Sequence, residues 1–249
     1  MRVTVITVVY NDVKSIEDTV LSVINQNYFN IEYIIIDGGS TDGTLEKIKK
    51  YKNRISIISE KDNGIYDAMN KGIREAKGDI IGFLNSGDIF YDNSVVSDIT
   101  ELFTSRRCDA VYGDLVYINE DGRVVRVWKA GEFNKKKLRR GWMPPHPTFY
   151  VKKELIEKYG EFKSGFKISG DYELMLRLLL RYNINVSYTG RIMVKMKVGG
   201  VSNKGIKNTL RKMYEDYLAW KVNELGYPPF LFAFKPFSKI HQFLIRGGR

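Results

Sequence analysis

Four short stretches of this chain carry residue types that could do chemistry. Asp37 is followed by Gly38-Gly39-Ser40-Thr41-Asp42-Gly43-Thr44. A carboxylate there can accept from a nucleobase N–H, and glycines let a ligand approach the backbone; the same residues also suit a plain strand-to-helix turn. Asn85-Ser86-Gly87-Asp88 holds one acid in a stretch of turn formers. Oxygen ligands of that kind suit a hard divalent cation such as Mn or Mg, which neutralises a diphosphate leaving group. Asp171, within Ile168-Ser169-Gly170-Asp171-Tyr172-Glu173, is placed to open a helix, as a general base or as a simple helix cap. His146 lies between prolines in Trp142-Met143-Pro144-Pro145-His146-Pro147. It reads as an exposed or hydrogen-bonded loop residue, with a donor or metal contact as the alternative. Gly-x-Gly-x-x-Gly is absent after Asp37, which argues against a nicotinamide enzyme.

These groups need a scaffold, and the hydrophobic pattern supplies one. Val3 to Val9 reads as a buried strand, ending at Tyr10-Asn11-Asp12. Ser15 and Asp18 resemble a capping box, and Ile16, Val20, Val23 and Ile24 follow at helical spacing. Tyr33 to Ile36, Ile55 to Ile58 and Ile80 to Leu84 read as further strands, with helices through Leu45 and Ile48 and over Tyr66 to Ala76. Such alternation predicts an α/β fold, with a mainly parallel sheet and helices on both faces. Ligands in such sheets bind beyond the carboxyl ends of the strands. The first, second and fourth strands all end in polar residues, so the candidate chemistry gathers on one edge. Farther on, Asp109 to Ile118 and Val124 to Trp128 suggest two strands about a turn at Glu120-Asp121-Gly122. The proline-rich stretch around His146 is expected to be irregular. Helices are expected over Tyr172 to Tyr182 and near Thr209 to Leu225.

Taken in order, Thr7-Val8-Val9-Tyr10-Asn11, the Asp37 to Thr44 block, Asp62-Asn63-Gly64-Ile65-Tyr66-Asp67-Ala68-Met69-Asn70-Lys71-Gly72 and Asn85 to Asp88 resemble the family 2 glycosyltransferases. These have the GT-A fold, a Rossmann-like sheet. The likeness is nearest to the branch that builds colanic-acid-type bacterial surface polysaccharides. It is strong to about residue 115, present to about 205 and absent beyond. The resemblance implies that Val9, Tyr10 and Asp37 hold the nucleotide base. It further implies that Asn63, Asp67, Asn85 and Ser86 border the donor, that Asp88 ligates the metal and that Asp171 is the catalytic base. Gly199-Gly200-Val201-Ser202 resembles a loop that closes over the diphosphate. Two positions depart from the pattern: Asn85 stands where the metal triplet usually opens with an acid, and Gly170 where an acid or glutamine often precedes the base. The Gln-x-x-Arg-Trp motif of processive members is absent, which implies one sugar per encounter, delivered with inversion. Uridine diphosphate sugars are the family's commonest donors, and a saccharide or lipid-linked saccharide is the implied acceptor.

The chain divides into an expected donor half (1–115), an acceptor half (116–226) and a basic tail (227–249). In the tail no acidic residue follows Pro228-Pro229, Phe237, Ile240, Phe243 and Leu244 share one helical face, and Lys239, Gln242 and Arg246 take the other. That pattern fits a helix lying on an anionic membrane surface, or one packed on the domain or on a second copy of the chain. The net charge of +11 fits phosphorylated ligands or such a surface, and no recognised nucleic-acid motif accompanies it. One cysteine, Cys108, and no long apolar run lead to the expectation of a cytoplasmic protein, peripheral on the inner membrane face. A sugar nucleotidyltransferase would need a Gly-rich basic loop where Tyr10-Asn11-Asp12-Val13 stands. A non-catalytic sugar-binding scaffold of the same fold is the remaining alternative.

Overall fold

The computed structural model describes residues 1–198 and 206–226. Strand β1 (Val3–Val9) pairs in parallel with β2 (Ile31–Asp37) and β4 (Ile80–Phe83), and β2 pairs in parallel with β3 (Ser56–Ser59). Helices α1 (Ile16–Ile24), α2 (Thr44–Lys49) and α3 (Ile65–Glu75) connect them. The near-continuous apolar run of β1 follows from burial on both faces. Ile6 and Val8 join one core with Ile34, Ile36 and the Tyr66, Met69 and Ile73 face of α3. Val3, Val5 and Val9 join a second core with Ile16, Val20 and Val23 of α1 and Ile48 of α2. The two-residue period of the strand thus assigns alternate side chains to two helix layers.

The second half departs from the parallel expectation. Strand β8 (Tyr150–Lys152) pairs antiparallel with β4 and with β6 (Ala110–Ile118), which also pairs antiparallel with β7 (Val124–Trp128) and in parallel with β9 (Val186–Lys197). Strand β5 (Asp88–Phe90) pairs antiparallel with β9. The order is β3-β2-β1-β4-β8-β6-β9-β5, with β7 on β6 alone. Strands β4 and β5 lie four places apart in that order, yet four residues, Leu84 to Gly87, join them. The sheet therefore curls so that its far end returns to the carboxyl end of β4.

Helix α4 (Val95–Arg106) buries Val95, Val96, Ile99 and Phe103, α5 (Lys135–Arg139) buries Leu138, and α6 (Lys153–Tyr159) buries Ile156. None of these three, nor β8 and β9, was expected from the sequence pattern. Helix α7 (Gly170–Leu176) runs into a π turn over Arg177–Arg181, and α8 (Ile206–Val222) packs on it through the fully buried Trp220, whose indole N–H donates to Tyr172 Oη at 3.0 Å. Helix α1 begins where expected, but the Ser15 side chain makes no capping bond. The Asp12 carbonyl accepts from the N–H groups of Ser15 and Ile16 instead, so the turn itself satisfies the helix start. The proline-rich stretch is irregular only up to Pro145; His146–Thr148 forms a single 3-10 turn, where Pro147 gives up a donor the first turn does not need. The Gly199–Ser202 loop and the tail from 227 lie outside the described residues. Among the described residues no helix is long and apolar enough to cross a membrane.

Candidate functional site

The carboxyl ends of β1, β2, β3 and β4 form one rim, because Val9 pairs with Asp37 and Asp37 with Ser59 in register. Asp37 is fully buried there; its Oδ2 accepts from the Ser59 hydroxyl at 2.6 Å and from the Ser40 N–H at 3.1 Å. Its carboxylate organises the loop after β2. The Val9 carbonyl accepts from the Gly38 N–H at 2.9 Å. The two loops above the rim are stitched together. Asn11 Oδ1 accepts from the Thr41 N–H, Ser40 Oγ from the Asn11 N–H and Asp42 Oδ2 from the Val13 N–H, all within 3.0 Å.

Gly38 explains one close approach. A Cβ there would lie 2.6 Å from Asp62 Oδ2 and 3.4 Å from the Tyr10 ring. Only glycine lets the Asp62 carboxylate come this close over the end of β2. Tyr10 is 65% exposed, so an aromatic face and a carboxylate edge stand side by side, suited to the face and edge of a nucleobase. In the sequence Asp62 only opens the block that resembles the family; its approach to Gly38 is a tertiary fact. Within that block the Asn63 N–H donates to Asp67 Oδ2 at 2.9 Å, and Lys71 Nζ lies 3.8 Å from the same oxygen. Asn63 and Asp67 thus shape the helix entrance together, and both line a cleft of about 650 Å³ with Tyr66, Lys167, Ile168 and Arg211.

The turn between β4 and β5 holds the candidate metal ligands. Gly87 adopts a positive φ of 90°, and the Asp88 N–H donates to the Asn85 carbonyl at 3.0 Å. Ser86 Oγ donates to Asp12 Oδ2 at 2.6 Å. Asn85 Oδ1 and Asp88 Oδ2 are both buried and have no hydrogen-bond partner. Two orphaned acceptor oxygens on one turn fit a hard cation, which supplies the positive charge both lack. Burial alone pushes the Asp88 carboxyl up to about 8. Among the described residues no cluster of three or more His, Cys, Asp or Glu could hold a metal by itself. A cation here would complete its shell with ligand phosphates and water, as magnesium commonly does.

Across the site, Asp171 sits half-buried in the first turn of α7, next after Gly170, which opens that helix. Its Oδ1 accepts from the Tyr172 N–H at 2.8 Å and lies 3.4 Å from Tyr66 Oη, which donates to the Ile168 carbonyl at 2.9 Å. The second departure from the family pattern now has a cause: a Cβ at Gly170 would sit 2.7 Å from the Tyr66 ring. Tyr66 fills the space that a side chain at 170 would take. His146 is packed rather than exposed, its ring stacked on Phe83 at 5.5 Å and its Nε2 buried with no partner. Burial lowers its pKa, against the opposing pull of the Asp171 charge, so the imidazole is neutral at pH 7. The sequence pattern placed Tyr66 in the block that resembles the family but not against Asp171, and it missed Glu215. The Glu215 carboxylate accepts from the N–H groups of Lys167, Ile168 and Ser169 at 2.8–3.1 Å, just ahead of Asp171. No short-range signal could have found it, because α8 and the loop lie more than forty residues apart.

Comparison with known proteins bears on the family and the fold. The chain is 34% identical over 183 residues to an uncharacterized glycosyltransferase of Mycobacterium tuberculosis, covering 72% of this chain and 69% of that one. Among solved structures, Staphylococcus aureus TarS aligns with a TM-score of 0.68 at 18% identity over 93% of this chain, which spans 41% of TarS. Its 1–349 fragment has been crystallised in complex with UDP-GlcNAc. The mannosyltransferase PcManGT of Pyrobaculum calidifontis, in complex with GDP-Man and Mn2+, aligns with a TM-score of 0.67 at 19% identity, covering 98% of this chain and 69% of that one. At such identities these structures establish the fold, a GT-A-like one. The sequence likeness is more specific: the model of Glycosyl transferase family 2 matches residues 4–160, more than half the chain, and with it the chain belongs to that family.

Proposed function

We propose that the protein transfers a single sugar from a nucleotide-diphosphate sugar, a UDP-sugar first among the candidates, to an acceptor hydroxyl with inversion. The reading rests on one observation: Tyr66, from the block whose Asp62 lies against Gly38, also contacts Asp171. Donor side and base are thereby held by one helix start. Asp171 takes the proton of the acceptor hydroxyl as its oxygen bonds to the anomeric carbon; the bond from that carbon to the diphosphate breaks, and the diphosphate leaves with the electron pair. Tyr10 and Asp62 receive the base, Asp37 and Ser40 hold the loop beneath it, and Asn63, Asp67, Asn85 and Ser86 border the rest of the donor. Asn85 and Asp88 would hold a divalent cation, Mn or Mg, which when bound supplies charge stabilisation to the leaving diphosphate. Neutral His146, walled by Phe83, excludes water beside the base.

The nucleotide-sugar and Mn2+ complexes of the two structural neighbours support this reading. Residues 1–115 form the donor half and 116–226 the acceptor half of one catalytic domain. The product is a bacterial surface polysaccharide or glycolipid of colanic-acid type, made by one addition per encounter on a saccharide or lipid-linked saccharide. The enzyme is cytoplasmic and peripheral on the inner membrane face. Asn85 in place of an acid favours a second reading, a nucleotide-sugar-binding scaffold without catalysis. Slow release of free nucleoside diphosphate from the donor, without acceptor, separates the two. Asp171→Asn is expected to lower transfer at least about a hundredfold while the melting-temperature rise with nucleotide and manganese persists. Near wild-type transfer by that variant, or a product with retained configuration, overturns the assignment of Asp171.

A further inference from the structure

The net charge of the chain is unevenly placed. Residues 123–140 carry eight Lys and Arg against one acid, Glu132, a net +7 in a chain of +11. This stretch is β7, at an open edge of the sheet because it pairs only with β6, followed by α5. Lys135, Lys136, Lys137, Arg139 and Arg140 are exposed while Leu138 between them is buried, so a single leucine anchors a helix that is otherwise cationic. With Arg123 and Lys129 these make seven exposed cations, none in an ion pair with a carboxylate among the described residues. Among them Val124 and Val125 are 45% and 53% exposed.

Unpaired like charges held this close repel one another, which a folded surface tolerates where an external anion relieves the repulsion. The composition of the stretch distinguishes between anions. Single-stranded nucleic acid requires exposed aromatic platforms, but Trp128, Phe133 and Trp142 are half-buried and packed on the cores. A fluid anionic bilayer needs no stacking and no register; it takes dispersed cations and small apolar tips together. We infer that β7 and α5 form a docking surface for an anionic lipid bilayer, separate from the tail. Helix α5 leads through Trp142 to His146, whose ring stacks on Phe83 at the end of β4. Docking there holds the acceptor side of the rim at the lipid surface. The inference rests on the transferase reading only for that purpose; the binding chemistry stands without it.

The test uses the full chain and its K135Q/K136Q/K137Q variant, sedimented with phosphatidylcholine vesicles with and without phosphatidylglycerol. The basic residues near an anionic surface add to binding one by one, so the triple variant is expected to bind the anionic vesicles about a hundredfold more weakly. Wild-type binding should weaken with added salt and be slight on neutral vesicles. A V124S/V125S variant should lose the part of the binding that survives salt. Equal binding by the wild type and the triple variant overturns the inference and leaves any docking to other segments. Tighter wild-type binding to random-sequence duplex DNA than to the vesicles, lost in the triple variant, overturns it in favour of nucleic acid. Donor hydrolysis is read in parallel and is expected unchanged in the triple variant. Its absence in the wild type would count against the transferase reading and leave the docking result standing.

Discussion

Asp88 has no hydrogen-bond partner for Oδ2, and burial pushes its pKa up to about 8. An unfolded aspartate titrates near 3.9. Between about pH 4 and pH 8 the metal-free folded protein therefore holds a proton that the unfolded chain releases, and its stability falls as pH rises. The limiting slope is about 1.4 kcal/mol per pH unit for one group. Asp88→Asn removes that titration. In urea unfolding without metal, wild type should lose stability relative to Asp88→Asn between pH 5 and pH 8; a pH-independent difference would remove the basis for this account. Activity should move the other way, the variant falling by about a hundredfold or more because Asn85 is left without its charged neighbour on the turn. On the proposed reading the same residue costs stability and serves the site, as functional groups often do.

At the scale of elements, the approach to Asp171, the proposed base, is held by a contact between α8 and the start of α7. Glu215 is 2% exposed and takes three backbone N–H groups of the loop that opens α7, with Arg211 Nε at 2.9 Å on its other side. Burial raises its pKa, but the N–H groups of Ile168 and Ser169, the Arg211 guanidinium and the Lys167 N–H outweigh that and hold the carboxyl below its usual range. For a depressed carboxyl, the stabilisation is present above the unfolded pKa and is lost as pH falls through the folded value. Glu215→Gln keeps the shape but loses charge-assisted bonds, and about 2 kcal/mol of stability at pH 7. Its deficit against wild type should shrink as pH is lowered below about 4. The turnover number should fall about tenfold with the donor KM little changed, since the loop carries Asp171 and not the donor. Lower stability with unchanged turnover would show a purely structural contact.

At the scale of the molecule, the parallel half and the mixed half meet at one seam. Gly82 of β4 pairs with Tyr150 of β8, and a Cβ at Gly82 would lie 2.0 Å from the Tyr150 ring. Tyr150 is fully buried and cannot swing away. Gly82→Ala should therefore destabilise the protein by about 3 kcal/mol or more, through overpacking at the seam. Adding Tyr150→Leu should recover part of that loss in a double-mutant cycle, because the two residues are in direct contact. Additive losses in denaturant unfolding would place the strain elsewhere. The seam matters for function because the curl beyond it returns β5, and with it Asp88, to the rim where β1 and β2 end.

The elements of the parallel first half were legible in the sequence. In β1 to β4 and α1 to α3, period, turn residues and strand ends agree locally, and the helix or strand type of each element was legible because burial on both faces leaves no competing pattern. The positions of Asp37, Asn85, Asp88 and Asp171 at element ends were legible for the same reason. The second half was not: β8 spans three residues, β9 bends through Gly190 with register shifts against β6, and α5 shows only one buried residue. Elements that short carry too few periods to read. Folding alone brings Asp62 to Gly38, sets Tyr66 where a side chain at 170 would go, packs His146 on Phe83 and lets Glu215 hold the approach to Asp171. Each of these joins residues far apart in sequence, and such contacts are fixed by how the layers close around the curled sheet rather than by any local propensity.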